Sequence, residues 1–504
     1  MSYDKRGSMT LLVNILAGIY LFCVVGLTVF SLGILTLLIL WWRHRNDEVA
    51  ALPLNDVWPQ VTIQLPIYNE RSVVARLMDA VAKLDYPRDR LYIQVLDDSD
   101  DDTGAVVAQL VVRYSQAGLN IAHIQRQDRT WYKAGALANG LKYTDDEFVA
   151  VFDADFVPDP AFLCRTIPHF AANPSLGIIQ ARWAHLNAQQ NLITRTQAMS
   201  IDRHFVIEQT ARNRGNLLLS FNGSGGIWRR ACIEEAGGWS GGTVTEDLDL
   251  SYRAQMCGWR CLYLPDVAVR AELPPQLTAF KRQQARWAKG TTQNLMRLFF
   301  KLWRSQCLTF PQKCMGTLHL SQYLPQPLLL IMTLLTPPMM LAGVLDRLPL
   351  TPLGLISLLA PIMYVLSQRH LYHDWMRRLV AFPVLLGVGS GIMLNNTIAV
   401  FSAFLQRPGV FKRTPKFSDQ SWQTSQYALR VDWMIVVEII LIIYTAIGGV
   451  IALRTMPRFA PFLFGQACGF GTIVVWELFE EIKINFNWLF AGNQPESPPG
   501  AMSD

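Results

Sequence analysis

The sequence predicts two joined parts, an α/β domain built on a mostly parallel sheet and an α-helical membrane region with interfacial helices. Three observations predict this. The 504-residue chain is 51% hydrophobic with a mean hydropathy of +0.19, and its apolar residues come in long blocks, as in membrane spans. Between the first and second blocks, short β-rich runs end in polar or acidic residues and alternate with helix-like segments. Finally, the net charge of +6 hides a basic stretch between Glu272 and Asp346 that contains no acid. Such a stretch suits a membrane surface or a polyphosphate ligand, and the apolar blocks that follow it argue against nucleic acid.

The elements follow in order. From Val13 to Trp42 the chain is apolar, with Lys5 and Arg6 before and Arg43 and Arg45 after. About 20 residues cross a bilayer, so residues 1–45 read as one long tilted span. A cleaved leader would have an apolar core of only about 7 to 15 residues. Residues 57–270 read as the α/β domain, with strands at VTIQL (61–65), YIQVL (92–96) and FVAVF (148–152) and a helix over 73–84. Parallel sheets of this kind bind ligands beyond the carboxyl ends of their strands. Asp97, Asp98, Asp153 and Asp155 fall there.

Residues 271–318 mix Phe280, Leu295, Leu298, Phe299 and Trp303 with Lys281, Arg282 and Lys289, the composition of amphipathic helices lying on an anionic leaflet. Within 319–481, spans are expected at about 320–345, 350–367, 433–453 and 459–479. Residues 407–430 carry Arg407, Lys412, Arg413, Lys416 and Arg430 against Asp419 alone, which assigns them to the cytosol. If the α/β domain shares that side, two spans already close the parity, so 378–406 reads as interfacial or re-entrant. Residues 482–504 form a tail, rich in Pro and Gly from 492 onward, that reads as disordered. The eight cysteines lack paired CxxC spacing and read as free thiols.

Chemistry is concentrated in four places. DAD (153–155) follows an apolar strand and offers the carboxylates Asp153 and Asp155 to a divalent cation on a diphosphate, although such a pair also arises by chance. Asp97 and Asp98 head an acidic cluster over 97–102, which taken alone is equally a solvated turn with helix-capping carboxylates. TED (245–247) precedes a helix-like segment, and its residue types suit a helix start. Group transfer to a hydroxyl, however, needs a carboxylate to take the proton, and Asp247 is the candidate. In QQARW (283–287), Trp287 and Arg286 serve either as interfacial anchors or as a stacking platform and phosphate partner.

In chain order, QLPIYNE (64–70), LDDS (96–99), KAGAL (133–137), DAD (153–155), FNGSGGIWR (221–229), TED (245–247) and QQARW (283–287) resemble the motifs of processive family-2 glycosyltransferases. The nearest likeness is to the cellulose-synthase-like mannan and glucan synthases, from the first span to about residue 430. The resemblance implies a GT-A-type domain and an inverting, metal-dependent enzyme. It would transfer a hexose from a sugar nucleotide, UDP-glucose in preference to GDP-mannose, to the non-reducing end of a growing β-linked polysaccharide, and move the product through its own spans.

By that resemblance Asp97 and Asp98 would meet the nucleotide and Lys133 the diphosphate, while Asp153 and Asp155 would hold Mg²⁺ or Mn²⁺. Asn222, Gly223 and Ser224 would present the acceptor. Asp247, with Thr245 and Glu246 beside it, would be the catalytic group, and Gln283, Arg286 and Trp287 would hold acceptor and leaving diphosphate. FKRTPK (411–416) resembles the family's gating loop, with Thr414 and Lys416 as substrate contacts and Arg413 where the family has Val. The enzyme would be integral to a plasma or inner membrane, in contact with its lipid, with the catalytic domain in the cytosol. Two other readings stay open: a non-processive glycolipid synthase with a diacylglycerol or ceramide acceptor, and a non-catalytic membrane scaffold or export channel, which the intact DAD and Asp247 argue against.

Overall fold

The computed structural model describes residues 5–50, 52, 58–348, 358–406, 414, 416–417 and 429–491. Seven strands, β1 (Val61–Ile67), β2 (Leu91–Asp97), β3 (Ile121–Gln125), β4 (Phe148–Val151), β5 (Leu176–His185), β6 (Gly226–Arg229) and β7 (Arg260–Ala271), form one sheet in the order β3-β2-β1-β4-β6-β5-β7. The neighbours β3, β2, β1 and β4 are parallel, as are β5 and β7, and only β6 runs antiparallel to the strands beside it. The predicted strands are β1, β2 and β4, and the predicted helix over 73–84 is Val74–Val81. The chain runs outward from β1 to β3 and then returns to the other side of β1 as β4. A cleft therefore opens beyond the strand ends at that reversal, the place where such sheets take ligands.

Alternation explains the packing. Val61, Ile63, Leu65 and Ile67 of β1 are buried with Leu91, Ile93 and Val95 of β2 and with Val74, Leu77, Met78 and Val81, which fall on one face of their helix. On the opposite face of the sheet the buried amide of Gln64 donates to Gln94 Oε1 (3.0 Å) and to the carbonyl of Leu137 (3.3 Å), and Gln94 donates to the carbonyl of Gly140 (3.0 Å). These bonds sew the helix Tyr132–Gly140 onto the sheet, and that helix carries Lys133 into the cleft.

Among the described residues four helical runs, Leu11–His44, Trp375–Phe404, Met434–Thr455 and Pro457–Asn485, are long and apolar enough to cross a membrane, and the pair Phe310–Leu320 and Pro325–Leu341, bent by 59°, would make a fifth if it is one span. The run Trp375–Phe404 overlaps residues 378–406, which the parity argument reads as interfacial or re-entrant. By contrast the helix at the predicted span 350–367 is described only from Leu359 to Leu371, about 20 Å long at the α-helical rise, and residues 349–357 lie outside the described residues. The tail from 492 also lies outside them.

The first long helix, Lys5–His44, joins the two parts. Tyr20 and Val24 pack on Met339, Met340 and Leu463, whereas Leu37, Leu38 and Trp41 pack on Val206, Ile207 and Ala211 of the α/β domain. The predicted interfacial helix is Leu277–Arg304. On one face its Leu298 and Leu302 pack on Leu248 and Tyr252 of the α/β domain, while Phe300 is exposed. Its first turns are pinned from the other side: the main-chain N–H of Leu277 donates to Glu480 (2.8 Å), and buried Lys281 pairs with Glu438 and Glu477, each at 2.8 Å. A buried cation flanked by two carboxylates fixes position more than it stabilises.

Candidate active site

The cleft beyond the strand ends gathers most of the residues that the sequence singles out. Asp98, Lys133, Asp153, Asp155, Glu246 and Asp247 line it, with Asn222 and Gly223 from the Gly-rich turn. Gln283, Arg286 and Trp287 reach it from one face of Leu277–Arg304, and Thr414 and Lys416 reach it from the predicted gating segment. Residues 411–413 and 415 of that segment lie outside the described residues.

Three predicted residues stand behind the cleft. Asp97 is buried, its carboxylate bonded by His123 Nε2 (2.9 Å), Gln125 Nε2 (3.3 Å) and the N–H of Ser99 (2.9 Å). Burial opposes its charge, yet the bonds from His123 and Ser99 prevail and hold its pKa below the ordinary carboxylate value. In this arrangement its carboxylate braces the loop. Ser224 is buried and its hydroxyl accepts the N–H of Asp153 (2.9 Å). Thr245 heads the helix Glu246–Met256 but turns toward Leu277–Arg304, where Asn294 donates to its hydroxyl (2.9 Å).

The cleft's carboxylates differ in their company. Arg126 clamps Asp98 with a fork, through Nε at 2.7 Å and Nη2 at 2.5 Å. Lys133 bonds Asp153 and the carbonyl of Gly223 (2.8 Å), and Lys416 bonds Asp155 (2.8 Å) and the carbonyl of Glu272 (2.9 Å). Burial would push Lys133 down, but Asp153, Glu246 and Asp247 hold its pKa above the ordinary lysine value. Asp155 acts likewise on buried Lys416. Asp247 has no lysine or arginine partner among the described residues. Burial first, and then the neighbouring charge of Glu246, push its pKa up to about 7 against the opposing pull of Lys133 and Arg286. A carboxyl in that range is poised to exchange a proton near neutral pH.

Two glycines permit this closeness. A Cβ on Gly223 (φ 83°) would come within 2.9 Å of Asp247 Oδ2, and one on Gly135 within 2.0 Å of the carbonyl of Thr130. Next to Gly135's turn, Trp131 and Tyr132 both hold positive φ, 63° and 48°, a strained pair that swings the chain so that Lys133 faces the cleft. Asp153 and Asp155 have no third His, Cys, Asp or Glu ligand beside them among the described residues. That donor set fits a hard cation shared with a diphosphate, because Mg²⁺-like ions commonly take one or two carboxylates and complete their shell with phosphate and water.

Residues 59–290 match the model described as "Glycosyltransferase like family 2". Over that stretch the chain is similar to family-2 glycosyltransferases. It is 40% identical over 294 residues to glucomannan 4-beta-mannosyltransferase 2 of Arabidopsis thaliana, covering 56% of this chain and 55% of that one. It is 43% identical over 284 residues to glucomannan 4-beta-mannosyltransferase 1 of Oryza sativa subsp. japonica, covering 54% and 53%. The chain thus spans about half the length of the curated relatives it matches. Among solved structures it is similar to the mannosyltransferase PcManGT from Pyrobaculum calidifontis in complex with GDP-Man and Mn2+, with a TM-score of 0.52 at 20% identity over 78% of this chain and all of that one. The fold is of the GT-A type.

Behind this cleft, the α/β domain opens into a second cavity. The two meet at Trp183, Asn222, Asp247 and Trp287, and the second runs on past Phe280, Tyr323 and Tyr364 to Leu385, Val388 and Ile392 in the apolar run Trp375–Phe404. A π-helical turn, His204–Gln209, shapes its wall. There His204 bonds Asn222 Oδ1 (3.0 Å) through one ring nitrogen and Glu208 (2.8 Å) through the other, and Glu208 pairs with Arg203 (2.7 Å). Gln180 accepts the N–H of Asn222 (2.8 Å), and Trp183 donates to the carbonyl of Ser224 (3.0 Å). Sequence reasoning passed over Arg126, Gln180, Trp183 and His204, each a single residue outside any motif. The one signal pointing to them was position: each lies in or near a strand end of the sheet or a helix beside it.

Proposed function

We propose that the protein is a membrane-embedded, inverting β-mannosyltransferase that moves mannose from GDP-mannose to the non-reducing end of a β-linked polysaccharide. The observation that carries it is the position of Asp247, where the cleft holding Lys133 and Asp153 opens into a cavity lined by Trp183, Trp287, Tyr323 and Tyr364. Aromatic rings present flat apolar faces with polar edges, as sugar rings require. The preference for UDP-glucose read from the sequence finds no support among relatives named as mannosyltransferases, and GDP-mannose replaces it.

In this reading the acceptor hydroxyl approaches along the aromatic cavity and gives its proton to Asp247 as its oxygen bonds to C1 of the donor sugar. The bond from C1 to the diphosphate breaks on the opposite face, and its electron pair leaves with GDP. An α-linked donor therefore yields a β-linked product. Lys133 and Arg286 face the developing charge of the leaving group. Asp153 and Asp155 would hold a divalent cation, which would supply further charge neutralisation there. Asn222, held by Gln180 and His204, orients the acceptor. The domain lies on the cytosolic side, and the cavity's continuation between apolar helices leads the product into the membrane.

The test is transfer from radiolabelled GDP-mannose or UDP-glucose by protein in lipid nanodiscs with Mn²⁺ or Mg²⁺. Label from GDP-mannose in polymer that a β-mannanase releases is the expected result. Label confined to the organic phase would make the acceptor a lipid, and label from UDP-glucose alone would overturn the donor.

A further inference from the structure

We propose that Arg129 reads the nucleobase of the donor and that its guanidinium fork selects guanine over uracil; this rests on the GDP-sugar reading above and names the residue that would enforce it. The cleft fixes the donor's direction. Asp247 marks the end where the sugar reacts, and Lys133 and Asp153 mark the diphosphate. The nucleoside is left the far end, beyond β1, β2 and β3, which is lined by Tyr68, Asp98, Arg129 and Tyr132.

Arg129 is the unusual member of that group. Its guanidinium carbon sits 3.2 Å over the Tyr68 ring and 5.4 Å from the Tyr132 ring, and its Nε is shielded from solvent without a hydrogen-bond partner among the described residues. The neighbouring cations are already committed, Arg126 to Asp98 and Lys133 to Asp153. The main chain around Arg129 is held on both sides. Asp128 accepts the N–H of Thr130 (3.0 Å), and Arg126 donates to the carbonyls of Thr130 (2.8 Å) and Tyr132 (2.7 Å). A fixed backbone carrying a side chain whose donors are not all used is a reader waiting for acceptors.

Tyr68 supplies a face on which a base can stack, taking the place of the guanidinium, which then meets the base's edge. Guanine offers O6 and N7 side by side, the pair of acceptors that matches an arginine fork. Uracil offers O4 alone, beside a C–H, and leaves one donor desolvated and unpaired, which is how a polar site rejects a ligand. A bidentate contact of this kind discriminates by about ten- to a hundred-fold.

The test measures binding of nucleoside diphosphates to the full chain in nanodiscs with Mn²⁺. Wild type should bind GDP at least about ten-fold tighter than UDP. Inosine diphosphate, which keeps O6 and N7, should bind nearly as GDP does, and 7-deaza-GDP, which lacks N7, should bind much more weakly. Arg129→Ala should collapse the GDP preference while leaving UDP affinity almost unchanged, and Arg129→Lys, which keeps charge without the fork, should fall between. If Arg129→Ala binds neither nucleotide, the ratio in Arg129→Lys decides. Equal losses for GDP and UDP, an unchanged ratio, or full affinity for 7-deaza-GDP would overturn the assignment of Arg129 and leave the GDP-mannose reading standing. A wild-type preference for UDP would instead overturn the donor reading itself.

Discussion

The two ends of the cleft treat their carboxylates differently. Toward the donor, Asp98, Asp153 and Asp155 each meet a cation, from Arg126, Lys133 and Lys416. Toward the proposed acceptor, Asp247 is half-buried with no such partner among the described residues and has Glu246 as its neighbour. A paired carboxylate keeps its charge and suits holding a phosphate-bound cation, whereas an unpaired buried one trades its charge for a proton easily. The same residue type is therefore assigned to binding or to proton transfer by what surrounds it.

Breaking the acceptor end should have the largest effect. Asp247→Asn keeps shape and removes the proton acceptor, so transfer should fall by about 10²- to 10⁴-fold, while GDP binding, followed by calorimetry, stays near wild type. Lost GDP binding would move Asp247 to the donor side of the comparison. Next, Asp155→Ala should weaken Mn²⁺-supported GDP binding by roughly a hundred-fold, because it removes one of the two carboxylates that would hold the cation. Binding that no longer responds to Mn²⁺ is the readout. A smaller effect is expected at the shared wall: Trp287→Ala should raise the acceptor KM roughly ten-fold, worth about 1.4 kcal/mol, with GDP affinity unchanged.

The difference between the ends also explains what the sequence could reveal. Strand ends followed by acids, the DAD pair, the TED turn and the QQARW helix face are local patterns, and the structure brings them into one cleft. The pairing that divides their roles is not local. Arg126 lies 28 residues from Asp98 and Lys416 lies 261 residues from Asp155, so neither contact leaves a trace in spacing. Asp97 and Asp98 are adjacent and alike in sequence, yet alternation on β2 turns one toward His123 and the other toward the cleft. The acceptor cavity was the least legible part. Its rings come from the sheet, from Leu277–Arg304, from the turn at Tyr323 and from the helix Leu359–Leu371, and only packing assembles them.

The most direct test of this division is the pH dependence of kcat/KM for mannosyl transfer in wild type and in Glu246→Gln. The base must be deprotonated to act, and its pKa is raised to about 7, so the wild-type rate should rise with pH through about 7 and be lost below it. Replacing Glu246 removes a charge that raises the Asp247 pKa, so the acid limb should move to lower pH while GDP affinity holds. A wild-type limb in the ordinary carboxylate range, or one that Glu246→Gln leaves in place, would contradict the account.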